Sequence, residues 1–157
     1  MAKKRRKPQP TAPATGGKLP VILYSLAAVL TLVGLADATY LTASHFSGET
    51  VTCVGTIGCS DVLASAYARI GKVPLAAFGV LAYFTAFSAA VLAAFRFPRA
   101  RGVLMIAVGA MFLTSLWLLY VQAFVLHAFC SYCLLSAALT FALAGIVIVA
   151  PPIARET

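Results

Sequence analysis

Charge is what this chain of 157 residues has least of: 10% of its residues are Asp, Glu, Lys or Arg, and only four of those are acidic. A soluble globular domain carries about 25%, so that class is excluded. The mean hydropathy of +0.97 agrees. Cysteine is limited to four residues, and no internal repeat breaks the chain into units. A basic stripe interleaved with aromatics, which a nucleic-acid interface requires, is also missing. The net charge of +8 instead comes largely from Lys3, Lys4, Arg5, Arg6, Lys7 and Lys18, which precede every hydrophobic run. Such a cluster reads as a topology signal and a contact for anionic lipid, not for nucleic acid.

What fills the chain is apolar sequence. Four stretches, residues 21–42, 73–95, 103–126 and 130–150, approach or exceed the ~20 residues that cross a bilayer as a helix. The first is longer than the ~7–15 apolar residues of a secretory signal and is expected to remain as a helix. Residues 1–18, rich in Lys, Arg, Pro, Thr and Gly, bury too little apolar surface to order and are expected to form a disordered basic cytoplasmic tail. Residues 19–157 are expected to form one domain, an all-α four-helix transmembrane bundle with short connections. Helix two is dense in Ala and Gly (Ala76, Ala77, Gly79, Ala82, Ala86, Ala89, Ala90, Ala93, Ala94), which lets helices approach closely in lipid.

Orientation follows from Lys and Arg. The basic tail and the segment RFPRAR, with Arg96, Arg99 and Arg101, belong on the cytoplasmic side. The 43–72 loop, where Arg69 and Lys72 are offset by Glu49 and Asp61, then faces outward with the turn near His127. That loop is the one extended polar segment. It contains Asp61-Val62-Leu63-Ala64-Ser65-Ala66-Tyr67, compatible with a short helix on the membrane surface capped by Asp61 or Ser60.

All four cysteines fall on this outer, oxidising side, where disulfides persist. Cys53 and Cys59 sit in the polar loop, and Cys130 and Cys133 form C-S-Y-C where the last apolar stretch begins. Residues three apart on a helix are ~5–6 Å apart at Cβ, within disulfide reach. Cys130 at the helix start is expected to gain thiolate character from the helix dipole, with protonated His127 adding to it. A Cys53–Cys59 bridge closes so short a loop that the chain-entropy gain is only about 2–2.5 kcal/mol. Two facing dithiols therefore read as an electron relay. The contrasting reading is a small non-enzymatic membrane protein braced by two structural disulfides. A metal site is not expected, because the Cys53–Cys59 gap departs from the usual zinc-ligand spacing.

Taken in order, the loop cysteine pair, Ser65 six residues beyond its second member, VPLAAFGVLAY at 73–83, and C-S-Y-C opening helix four resemble the vitamin K epoxide reductase family, particularly its bacterial homologues, over residues 24–150. The resemblance implies a membrane thiol:quinone oxidoreductase that supports disulfide-bond formation. A thioredoxin-like partner would reduce the Cys53–Cys59 disulfide, Cys59 would attack Cys130, and Cys133 would reduce a quinone held between the helices. Many bacterial relatives carry a fused thioredoxin-like domain after helix four; this sequence ends at Thr157, so a separate extracytoplasmic partner is expected. Animal members have an Asn and a Tyr where Leu75 and Ala137 stand here, which favours ubiquinone or menaquinone over the epoxide. Ser65, Phe78 and Gln122 are the candidate quinone contacts, with Phe78 sharing an aromatic face with Tyr83 and Phe87. Asp37 and His127 are candidates for proton transfer. The implied location is the bacterial inner (plasma) membrane, multi-pass, with both termini cytoplasmic.

Overall fold

The computed structural model describes residues 18–48, 51, 58–97 and 99–150. The basic tail, whose order the sequence puts in question, lies outside the described residues up to position 17, as does Cys53. Helix α1 spans Lys18–Ser47, five residues past the expected apolar stretch. Its last turns contain Ser and Thr whose hydroxyls return to the helix: Thr42 Oγ1 donates to Ala38 O at 2.7 Å, and Ser47 Oγ to Ala43 O at 2.9 Å. Gly48, at φ 70°, follows in the left-handed conformation that glycine adopts without a Cβ penalty.

The outer loop resumes with α2, Cys59–Ala64. It starts two residues before Asp61, and neither Asp61 nor Ser60 caps it. Gly58 does so, at φ 134° and without a side-chain bond, leaving Asp61 in the first turn, where its charge suits the helix dipole. A 3-10 turn, Ala66–Ala68, leads into a two-stranded antiparallel ribbon, β1 (Arg69–Ile70) with β2 (Val73–Pro74). The expected second span thus loses its first two residues to a strand, and Pro74 stands immediately before α3, Leu75–Ala94. Helix α4 covers Ala100–Tyr120 and widens into a π-helical turn, Val121–Leu126. Helix α5 covers Ser131–Val149.

Four helical segments, Lys18–Ser47, Leu75–Ala94, Ala100–Leu126 and Ser131–Val149, are long and apolar enough to cross a membrane. They pack as a ring, α1 on α3, α3 on α4, α4 on α5 and α5 back on α1. This is the expected four-helix transmembrane bundle. Its most extensive seam is α1 against α3, where Gly34 meets Tyr83 and Gly79 meets Ala38, while Ala86, Ala89, Ala90 and Ala93 of α3 are buried in the core. Large apolar side chains such as Leu32, Leu81, Ile106 and Ile148 are exposed around the ring, as lipid-facing positions must be when the solvent is hydrocarbon.

Candidate functional site

The site is assembled where α4 hands the chain to α5. The wide turn ends at His127, whose φ of 47° is left-handed, and Ala128 N–H donates to Gln122 O at 3.2 Å. Three residues later Cys130 takes an extended conformation, φ −104° and ψ 120°, and becomes the residue that precedes α5. Its carbonyl accepts the first helical bond, from Leu134 N–H at 3.0 Å. Its own N–H donates to Gln122 Oε1 at 2.9 Å, in the protein interior. Cys130 is thus a cap residue, one position outside the helix in which Cys133 occupies the first turn.

Above it lies α2. Cys59, Val62 and Cys130 form a single buried cluster, with Leu63, Leu126, Ala128, Tyr132 and Cys133 packed on it. The approach is close enough that a Cβ on Gly58 would stand 3.0 Å from Ala128 Cβ. Glycine is therefore required there twice, for its positive φ and for its lack of a side chain. Cys59 is disulfide-bonded, whereas Cys130 and Cys133 are free thiols. The loop cysteine thus lies against the C-x-x-C pair.

The Cys130 thiol is pulled down from 9.0 to about 7. The largest cause is the hydrogen bond from the Cys133 thiol. The backbone N–H groups of Cys133 and Tyr132 assist, while burial and the Asp37 carboxylate oppose. The direction matches the expectation of an activated Cys130; the cause is mainly the neighbouring thiol.

Below the sulfurs a cavity of about 730 Å³ runs between the helices. Cys133 opens onto it and Cys130 does not. Asp37, Ser65, Phe78 and Gln122 all line it. Asp37 is half-buried, and Ser65 Oγ donates to Val62 O at 2.7 Å, tying off the end of α2. His127 is exposed and is not among the cavity-lining residues. Phe78 is 44% exposed and Tyr83 only 2%, so the aromatic face read from the sequence divides into an outward and an inward residue.

Tyr83, Ser136 and Thr140 were not singled out by sequence reasoning as one unit, yet all three line the cavity. Tyr83 Oη lies 2.8 Å from Ser136 Oγ and 3.4 Å from Thr140 Oγ1. Their signal was available: positions 136 and 140 stand three and seven residues after Cys133, on the same helical face. The ring pair Tyr40–Tyr132, with centroids 5.6 Å apart, had no signal, because it joins α1 to the interior of the C-x-x-C motif.

Four helices long and apolar enough to cross a membrane, with Cys59 packed against a C-x-x-C pair, form an architecture suited to membrane redox chemistry. Comparison with protein families matches residues 25–148 to the vitamin K epoxide reductase family. No curated protein matches the chain. The family match covers most of the sequence, and the chain belongs to the vitamin K epoxide reductase family, whose members are membrane oxidoreductases that use quinones.

Proposed function

We propose that this protein is a thiol:quinone oxidoreductase that takes electrons from a separate extracytoplasmic thioredoxin-like protein and delivers them to a membrane quinone, so supporting disulfide-bond formation. The observation that carries this reading is the buried cluster in which disulfide-bonded Cys59 packs with Cys130, next to a Cys133 that opens onto an apolar cavity.

A partner thiolate attacks the loop disulfide at Cys53, and its second thiol resolves the mixed disulfide, leaving Cys53 and Cys59 as thiols. Cys59 as thiolate attacks Cys130 of a Cys130–Cys133 disulfide, and Cys133 leaves as thiolate. Cys53 then attacks Cys59, restoring the loop disulfide and freeing Cys130. Each step needs a thiolate in line with a disulfide sulfur; the packing of Cys59 with Cys130 supports the step between the pairs. The Cys130/Cys133 dithiol finally surrenders two electrons and two protons, and its disulfide re-forms as a quinone becomes a hydroquinone.

The cavity suits such an acceptor, being walled mainly by apolar side chains with a few polar groups converging on it. Ser65, Phe78 and Gln122 are proposed to contact the ring, ubiquinone or menaquinone. Asp37, on the cavity wall, is proposed to move one proton, and exposed His127 to exchange protons with the outer solution. Residues 19–157 are proposed as the redox domain, in a bacterial plasma membrane with both termini cytoplasmic, lipid around the bundle and all cysteines outside. The contrasting reading is a non-enzymatic protein in which both pairs are structural bridges; the packing of Cys59 with Cys130 beside the cavity favours the relay.

Purified protein in detergent, mixed with a reduced thioredoxin-like protein and a soluble quinone analogue, is expected to reduce the quinone as followed by absorbance. A Cys133→Ser variant that stays folded should abolish this. Well-folded wild-type protein that reduces no quinone with several donors would overturn the proposal.

A further inference from the structure

A glutamine amide inside a membrane span is costly unless its polar atoms are satisfied. Gln122 is 2% exposed and has spent its side-chain carbonyl on one particular group, the N–H of Cys130. That N–H belongs to the residue before α5, so no turn of the helix offers it a partner. The bond reaches across eight residues and bypasses Ala128 and Phe129 to land on the reacting cysteine.

The backbone of Gln122 works on the same connection, since its main-chain carbonyl accepts from Ala128 N–H. The π-helical turn in which it sits adds a residue to the turn and re-aims the side chains that follow, a feature that recurs at functional sites. Both polar ends of one residue therefore fix the strand that carries Cys130. With its carbonyl committed, the amide end of Gln122 is what remains for the cavity that it lines with Cys133.

Cys130 has two sulfur partners in turn, Cys59 above and Cys133 beside it. If its backbone is pinned, rotation about a single side-chain bond exchanges one partner for the other, and no backbone rearrangement is needed between steps. We infer that Gln122 is a positioning residue for disulfide transfer: its carboxamide clamps the Cys130 backbone so that the sulfur meets Cys59 in line. This rests on the relay reading above and deepens it, and it is distinct from a role as a donor to the quinone carbonyl.

The test separates transfer between the pairs from reduction of the acceptor. Protein oxidised at both pairs is mixed anaerobically with limiting dithiothreitol, acid-quenched at intervals and labelled with maleimide to locate the thiols. A Cys59→Ser control gives the direct rate at Cys130–Cys133. A separate mixing of reduced protein with a soluble quinone analogue gives the quinone step and its KM. Gln122→Met, similar in volume but lacking the acceptor, is expected to slow transfer between the pairs by about tenfold or more, the scale on which misplacing a reacting group is felt. Because Gln122 also lines the cavity, its quinone KM is read separately and does not enter the transfer rate, which is measured without quinone. Gln122→Glu keeps an oxygen at the same reach and should restore most of the transfer rate.

Transfer unchanged in Gln122→Met would overturn the inference. So would a raised quinone KM with normal transfer, with Gln122→Glu failing alike, since that pattern marks a quinone contact. If Gln122→Met does not fold, Gln122→Asn, one methylene too short to reach the Cys130 N–H, must show the same slowing or the inference falls. Wild-type protein that passes electrons between its pairs but reduces no quinone would remove the terminal step of the proposed function and leave the positioning role standing. Wild-type protein with no transfer between pairs would remove both.

Discussion

The phenol of Tyr83 on α3 reaches Ser136 on α5, Oη to Oγ 2.8 Å, across the diagonal of the helical ring. The bond joins helices that are not neighbours in the ring. Tyr83→Phe removes the hydroxyl and keeps the ring. The variant should lose about 1 kcal/mol, the scale of interhelical hydrogen bonds in membrane proteins, read as a lower midpoint on thermal or denaturant unfolding in detergent. An unchanged midpoint would mean that the bond contributes nothing net.

Tyr83 also explains a glycine. A Cβ at Gly34 would overlap its ring, and the ring cannot retreat while its hydroxyl is bound to Ser136. Gly34→Ala gains about 1 kcal/mol of helix propensity but forces overpacking worth about 1–3 kcal/mol, so the net effect should be destabilising. The sign should reverse in a Tyr83→Ala background, where the propensity gain alone remains. Unfolding midpoints of the four proteins in that cycle decide the matter.

These two residues also show how far the sequence was legible. Apolar length located all four spans, because in lipid the backbone has few alternatives to a helix. The C-x-x-C spacing and the loop pair singled out cysteines of which Cys59, Cys130 and Cys133 share one cluster in the fold. What stayed hidden depended on tertiary contact. Nothing local marks Gly58 as the cap of α2, and its close fit against Ala128, seventy residues on, is a tertiary contact. Gln122 could be recognised as a polar residue in an apolar span, but its partner could not, because the widened turn that aims it has no sequence signature. In the sequence Tyr83 is one of an aromatic face with Phe78 and Phe87; only its hydroxyl partners on α5 set it apart.

Gly58 offers the most direct way to separate the two cysteine sites. Gly58→Ala must hold φ near 134° against a Cβ and push that Cβ to within 3.0 Å of Ala128. Backbone strain of this kind costs about 1–3 kcal/mol, and the cheapest relief is for α2 to lift from the turn below it. Cys130, at 0% exposure, should then react with a maleimide faster than in wild-type protein, while the unfolding midpoint of the bundle changes little. Equal labelling rates would show that α2 stays docked despite the strain.

The Cys130 thiol provides a prediction in pH. Held at about 7 against an ordinary 9.0, chiefly by the Cys133 thiol, it should be alkylated with a rate that rises through a midpoint near pH 7 in the reduced protein. Because the folded value is depressed, the stabilisation this thiolate gives the dithiol form is complete above pH 9. It declines as pH falls towards 7 and is absent below that. Cys133→Ala removes the principal donor and should move the alkylation midpoint up towards 9, whereas Cys133→Ser, which keeps a hydroxyl donor, should leave it between the two. Asp37 opposes the thiolate by charge, so Asp37→Asn should lower the midpoint further. A midpoint that ignores Cys133→Ala would assign the activation to the backbone N–H groups of Tyr132 and Cys133, and the C-x-x-C spacing would then matter only for closing the disulfide.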